Sequence, residues 1–279
     1  MAKRTDLALE QTDRTLKTQE GVEKEVETVG EIEIVKVKIK NKKAANMFKK
    51  PMGEYVTFQS QNILEPQNVK ILEDLLTKEL EKHVKEKDTV LFVGLGNRYI
   101  TPDSVGPEVA RKIVATRHLD TNLLKMLGHS NLKSVSVIAP GVLGQTGMET
   151  TEIVKACFKI VKPDLVIAVD ALAAINFKRL GTTIQLTNTG ICPGSGVENK
   201  RKELSKKILG VPVIAIGIPT VVDAPEENKK DDEDYKCLMM VTPKNIDLLV
   251  KRSAKVISNS VNKALFPDLE EEEIETFYN

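Results

Sequence analysis

The chain has 279 residues, enough for one large domain whose core needs neither disulfides nor metals to hold it. Its 41 basic and 40 acidic residues nearly cancel, so there is no global electrostatic case for binding nucleic acid. The longest apolar runs are too short to cross a bilayer, Cys157, Cys192 and Cys237 are an odd number at wide spacing, and Met1–Asp6 lacks the apolar core of a signal peptide, which together point to a soluble protein in a reducing cytoplasm.

Residues 1–30 are polar and weakly periodic, and read as an arm over the surface rather than a core element. Ile32, Ile34, Val37 and Ile39 alternate with charges apart from a phase slip at Val35, the pattern of a half-buried strand with a bulge, and Tyr55–Phe58 is its expected partner in a small accessory sheet. Pro66 opens a helical stripe of Val69, Leu72, Leu76, Leu80 and Val84. Strands are expected at 89–93, 135–139, 165–169, 182–186 and 211–216, with helices at 105–117, 149–161, 197–208 and 243–264. That alternation specifies an α/β fold of three layers, a mostly parallel sheet with helices on both faces. The charged run Glu226–Asp234 and the acidic end Asp268–Glu275 read as solvated surface.

Two apolar runs end in acids. Thr89–Val93 breaks into Gly94-Leu95-Gly96-Asn97 and delivers Asp103 just before a helix, and Leu165–Val169 ends at Asp170. If both runs are parallel strands of one sheet, Asp103 and Asp170 share its carboxyl edge and can converge. Alone, each acid has a plainer role, as a helix N-cap or in a strand-end turn; at matching strand ends, the pair favours acid/base chemistry. The loop Thr189–Arg201, with Gly194-Ser195-Gly196, offers backbone N–H groups to a carbonyl or carboxylate, and also reads as a plain connection. Pro140–Gly147 adds a third loop to the same rim, either shaping a groove or turning the chain. Gly94 and Gly96 could also cradle a dinucleotide, but Tyr99 stands where the third glycine of that fingerprint belongs. His83, His118 and His129 lack i, i+4 partners and read as structural, and Ser195 is not in a nucleophile elbow.

With these residues in view, the chain resembles the germination proteases of spore-forming bacteria, enzymes that cut small acid-soluble spore proteins. The resemblance is carried by Arg4–Glu10, Gly94–Asn97 with Thr101–Asp103, Asp170–Ala174, Thr189-Gly190 with Pro193–Val197, Asn199–Leu204, Gly217–Ala224 and Val241–Lys244. It spans almost the whole chain, which is shorter than many members. The family is similar in fold to hydrogenase-maturation endopeptidases, a phosphorylase/hydrolase-like arrangement. Those relatives use a histidine as a further metal ligand, and none follows His129 here.

The resemblance implies that Asp103 and Asp170 are the catalytic acids of an atypical aspartic-type endopeptidase without metal or other cofactor. Two close carboxylates cannot both ionise cheaply, so one would keep a proton while the other accepts one from water. Gly94, Gly96, Asn97, Gly194, Ser195 and Gly196 are then candidates for binding substrate. Family members are zymogens, form tetramers, and cut after Glu in Thr-Glu-(Ile/Phe)-Ala-Ser-Glu. Thr5-Asp6-Leu7-Ala8-Leu9-Glu10 looks like a copy of that motif, which predicts self-cleavage between Asp6 and Leu7. The implied organisation is a propeptide over 1–6 and an α/β peptidase domain over 7–279, with 30–60 as an accessory β lobe. The implied partners are small acid-soluble spore proteins in the spore core, with no direct nucleic acid and no membrane. The rival readings are a metal-dependent maturation peptidase and a nucleotide-binding module.

Overall fold

The structure, a computed structural model, describes residues 5–14, 20–63, 65–86, 88–120, 132–193, 203–223 and 239–276. Gly194, Ser195 and Gly196, His129 and the charged run 226–234 lie outside them. No helix among the described residues is long and apolar enough to cross a membrane.

The strands are β1 (Val22–Val29), β2 (Ile32–Ile39), β3 (Gly53–Gln59), β4 (Thr89–Gly94), β5 (Ser134–Ile138), β6 (Leu165–Ala174), β7 (Thr183–Thr187), β8 (Val213–Asp223) and β9 (Met240–Val241). They form one sheet in the order β1-β2-β3-β7-β8-β6-β4-β5, with β9 on β8. Its parallel part is β5-β4-β6-β8, with the continuous apolar runs seen in the sequence at its centre in β4 and β6, and β5 a half-buried edge strand that alternates Ser and Val. An antiparallel extension, β7-β3-β2-β1, continues the same sheet, so the N-terminal strands expected as an accessory sheet join the main one through β3 and β7.

Side chains alternate between the two faces. Val90, Phe92, Ile167, Val169, Ile214 and Ile216 pack against the helices Pro66–Glu81, Val105–Ala110 and Ile246–Leu265. Leu91, Val93, Val166, Ala168 and Val213 face the helix Thr150–Val161 on the other side. Helices thus cover both faces, as the βα alternation implied.

Four local expectations change. Within 1–30 the described residues are no loose arm: Leu7, Ala8 and Leu9 are buried, and residues 22–29 are β1. β1 escapes a sequence reading because it is an edge strand exposed along most of its length, held by main-chain pairing and by ion pairs such as Lys36–Glu27 at 2.7 Å. The phase slip at Val35 is no bulge. β2 pairs in unbroken register on both sides, and the slip marks where its buried face changes, Ile32 and Ile34 serving one core and Val35, Val37 and Ile39 another. The helix expected at 105–117 ends at Ala110, and within 203–208 the helix expected to begin at 197 is confined to Lys206–Leu209.

Gly94 and Gly106 allow the helix Val105–Ala110 to sit directly on the sheet. A Cβ on Gly94 would lie 2.2 Å from the Gly106 carbonyl oxygen, and one on Gly106 would lie 2.1, 2.4 and 2.5 Å from Leu95 O, Leu95 N and Val169 O. Backbone cannot yield cheaply at such distances. Gly106→Ala is therefore expected to destabilise the protein by about 1–3 kcal/mol or more, read as a lower thermal midpoint; an unchanged midpoint would show that the helix is free to lift.

Candidate active site

The loop after β4 is built to hold Asp103. Gly96 adopts φ +113, a region open to glycine, and the chain turns back so that a Cβ there would sit 2.0 Å from the Asp103 carbonyl oxygen and 3.2 Å from its Oδ1. Asp103 occupies the 3₁₀ turn Thr101–Asp103, and its Oδ2 accepts a hydrogen bond from the Asn97 N–H at 2.8 Å. The Asn97 Oδ1 accepts from the Tyr99 N–H at 3.0 Å and from Gln145 Nε2, so the Pro140–Gly147 segment reaches the same rim. Asn97 is thereby a positioning residue for Asp103, while Gly94 lies against Gly106.

Asp170 lies on the neighbouring parallel strand. The Leu95 N–H donates to the Val169 carbonyl at 2.8 Å, carrying the β4 loop alongside the residue that precedes Asp170. The 3₁₀ turn of Asp103 packs against β6, β8 and the helix Ile246–Leu265. The sequence placed Asp170 at a strand end; β6 in fact runs four residues further, to Ala174, because β8 is equally long and pairs with it. What ends near Asp170 is β4, whose pairing with β6 stops at Gly94 and Val169. The acid is thus 5% exposed, with its Oδ1 accepting from the Ala171 N–H at 2.9 Å.

Asp170 belongs to a row that crosses the sheet. It pairs with Gly217 on β8, Gly217 pairs with Gln185 on β7, and Gln185 pairs with Thr57 on β3. Laterally paired residues point to the same face, so Asp170 and Gln185 flank a position without a side chain, their main chains about 10 Å apart at ordinary strand spacing.

The amino-terminal segment lies over this face. Asp6 pairs with Ala173 in both directions, its N–H donating to the Ala173 carbonyl at 2.9 Å and its Oδ2 accepting from the Ala173 N–H at 2.9 Å. Its own carbonyl accepts from Lys50 Nζ at 2.8 Å and from Gln185 Nε2 at 3.3 Å, while Gln185 Oε1 accepts from the Ala8 N–H at 2.8 Å. Leu7, fully buried, packs against Leu172, Ala174 and Val222. Glu10, 6% exposed, accepts from the Ile175 and Asn176 N–H groups at 2.9 Å each and from the Thr5 hydroxyl. Such charge-assisted bonds satisfy a buried carboxylate without a cation. Tyr55, beside Ala8 and Leu9 in the same apolar cluster, donates to the Pro51 carbonyl at 2.9 Å, and burial pushes its phenol up to about 12. It is a protonated donor at neutral pH.

Gln185 and Lys50 were not singled out by sequence. One signal was available for Gln185: in Thr183–Thr187 the apolar Ile184 and Leu186 alternate with Thr183, Gln185 and Thr187, a polar face that is nevertheless buried. Lys50 sits in an ordinary lysine pair and carries no such signal.

A model of the germination protease family matches residues 2–236. The chain belongs to the germination protease family. It is 41% identical to the germination protease of Caldanaerobacter subterraneus subsp. tengcongensis, across 97% of this chain and 96% of that one. Identity is 38% to the Clostridium acetobutylicum germination protease, over 99% of both chains, and 40% to that of Bacillus cereus strain ATCC 10987, over 95% of this chain and 72% of the relative. Among solved structures, the NiFe hydrogenase maturation protease HycI from Thermococcus kodakarensis KOD1 overlays with a TM-score of 0.37 at 21% identity, covering 66% of this chain and 98% of that one. Membership makes the chain a peptidase, and Asp103 and Asp170 are the acids to test in it.

Gly96→Ala is expected to push Asp103 out of place. A displacement of about 1 Å costs on the order of 10²-fold in rate, measurable as kcat on a protein substrate; full activity in this variant would separate the Gly96 turn from the chemistry.

Proposed function

We propose that this peptidase is an aspartic-type endopeptidase of the spore core that begins the degradation of small acid-soluble spore proteins at germination. In this reading it acts as a homotetramer, and is made as a zymogen that cuts its own Asp6–Leu7 bond. The observation that carries the reading is the course of Thr5–Glu10, whose main chain runs between β6 and β7 on the face and in the neighbourhood of Asp170.

In the proposed reaction, the ionised member of the Asp103–Asp170 pair takes a proton from water as the water oxygen attacks the carbonyl carbon. The protonated member donates to the carbonyl oxygen, giving a neutral tetrahedral intermediate. Collapse breaks the C–N bond: the leaving nitrogen takes the proton that the base received from water, a hydroxyl of the intermediate gives its proton to the other carboxylate as the new carbonyl forms, and the pair again holds one shared proton. The pair titrates jointly, so the roles of acid and base belong to the pair. Gly96 and Asn97 hold substrate main chain beside it, with Gly94 supporting their loop against Gly106; Gly194, Ser195 and Gly196, outside the described residues, are the further candidates for binding substrate. A Thr-Glu-(Ile/Phe)-Ala motif in substrates would take the course that Thr5-Asp6-Leu7-Ala8 takes here.

Two products are expected when the full-length protein is matured in acid and then mixed with a small acid-soluble spore protein. Intact-mass analysis should find the enzyme beginning at Leu7, and the substrate should be cut after the Glu of its Thr-Glu motif. An enzyme that still begins ahead of Leu7, or a substrate cut elsewhere, would contradict this reading.

A further inference from the structure

The carbonyl of Asp6 has two side-chain donors aimed at it, Lys50 and Gln185. Lys50 Nζ approaches from the segment between the helix Lys42–Phe48 and β3, at 2.8 Å, and Gln185 Nε2 approaches from the buried row of Asp170, at 3.3 Å. The same carboxamide takes the Ala8 N–H on its oxygen at 2.8 Å. One side chain therefore reads the main chain on both sides of the Asp6–Leu7 bond, and a cation sits on the carbonyl oxygen of that bond.

We propose that Lys50 and Gln185 are the carbonyl-binding residues of this peptidase: they orient the bond to be cut and polarise its carbonyl for attack by water, before the protonated carboxyl of the acid pair delivers its proton to that oxygen. Hydrolysis moves electron density onto that oxygen as water adds to the carbon, and fixed donors there lower the barrier most where water is scarce. The ammonium supplies charge; the carboxamide supplies direction, because its oxygen and nitrogen can both be satisfied only by a chain running in one sense. The main chain is read without regard to side chain, which suits an enzyme whose sequence preference is set elsewhere along the peptide. In self-processing the reader acts on Asp6, and in a substrate it acts on the residue before the cut. The inference rests on the proposed cleavage at Asp6–Leu7.

Docking of the segment does not rest on Lys50 alone. Leu7 in its apolar pocket, the paired bonds between Asp6 and Ala173, and the Ile175 and Asn176 N–H groups on Glu10 also anchor it. This separates catalysis from docking in one experiment on the full chain. The first-order rate of self-processing is followed by intact mass in wild type, Lys50→Met, Lys50→Arg and Gln185→Leu, and amide exchange of residues 5–10 reports whether the segment stays docked. Lys50→Met is expected to process about 10²-fold more slowly with exchange unchanged, Lys50→Arg to recover most of the rate, and Gln185→Leu to slow by a similar factor. Processing of Lys50→Met at the wild-type rate would overturn the inference. So would slow processing accompanied by fast exchange, which would make Lys50 a docking residue only. If wild type itself never cuts at Asp6–Leu7, the reading beneath the inference fails with it, an outcome distinct from wild-type cutting matched by the variants.

Discussion

The close approach of the Gly106 backbone to Leu95 and Val169 governs everything at the rim of this sheet. It seats the helix Val105–Ala110 on the end of β4 and the middle of β6 at a distance no side chain would permit. The 3₁₀ turn just ahead of that helix, with Asp103, is drawn onto the strand that carries Asp170. Gly96 then closes the turn over Asp103, and the Asn97 N–H holds its carboxylate. Two acids distant in sequence are thus carried by one closely packed piece of backbone, the support that the proposed pair would need.

The second constraint is the burial of acidic side chains from the amino terminus. Asp6 is accommodated by the N–H of residue 173, where β6 has run on past Asp170 and β4 no longer covers it, and Glu10 by the N–H groups of residues 175 and 176 in the turn just after β6. A stretch of strand that extends beyond its neighbour keeps unpaired main-chain donors, and a peptide of suitable sequence completes them. The stretch of β6 that continues past the end of β4 from Asp170 is therefore what binds the amino-terminal segment. Structure and proposed specificity share one cause.

The central parallel strands β4 and β6 were legible in sequence because they are buried on both faces and read as unbroken apolar runs, Val90–Val93 and Val166–Val169. Asp103 and Asp170 were legible for the same reason: a carboxylate following such a run stands out. The amino-terminal segment was not, because its polar residues are satisfied by main chain far away in sequence, and composition alone gives them the look of a solvated arm. β1 was hidden by its exposure, and the extended ends of β6 and β8 by their mutual pairing, which depends on two segments at once. Lys50 and Gln185 show how a site can draw on residues outside every motif: both act on backbone atoms, and the loop and strand that carry them have no distinctive composition.

The central claim is that Asp103 and Asp170 together perform the hydrolysis. It is tested most directly by measuring cleavage of a small acid-soluble spore protein by wild type, Asp103→Asn and Asp170→Asn, each with and without a chelator. The account predicts a chelator-insensitive cut in wild type and its loss in both variants; cleavage that survives either substitution, or that disappears with the chelator, would contradict it.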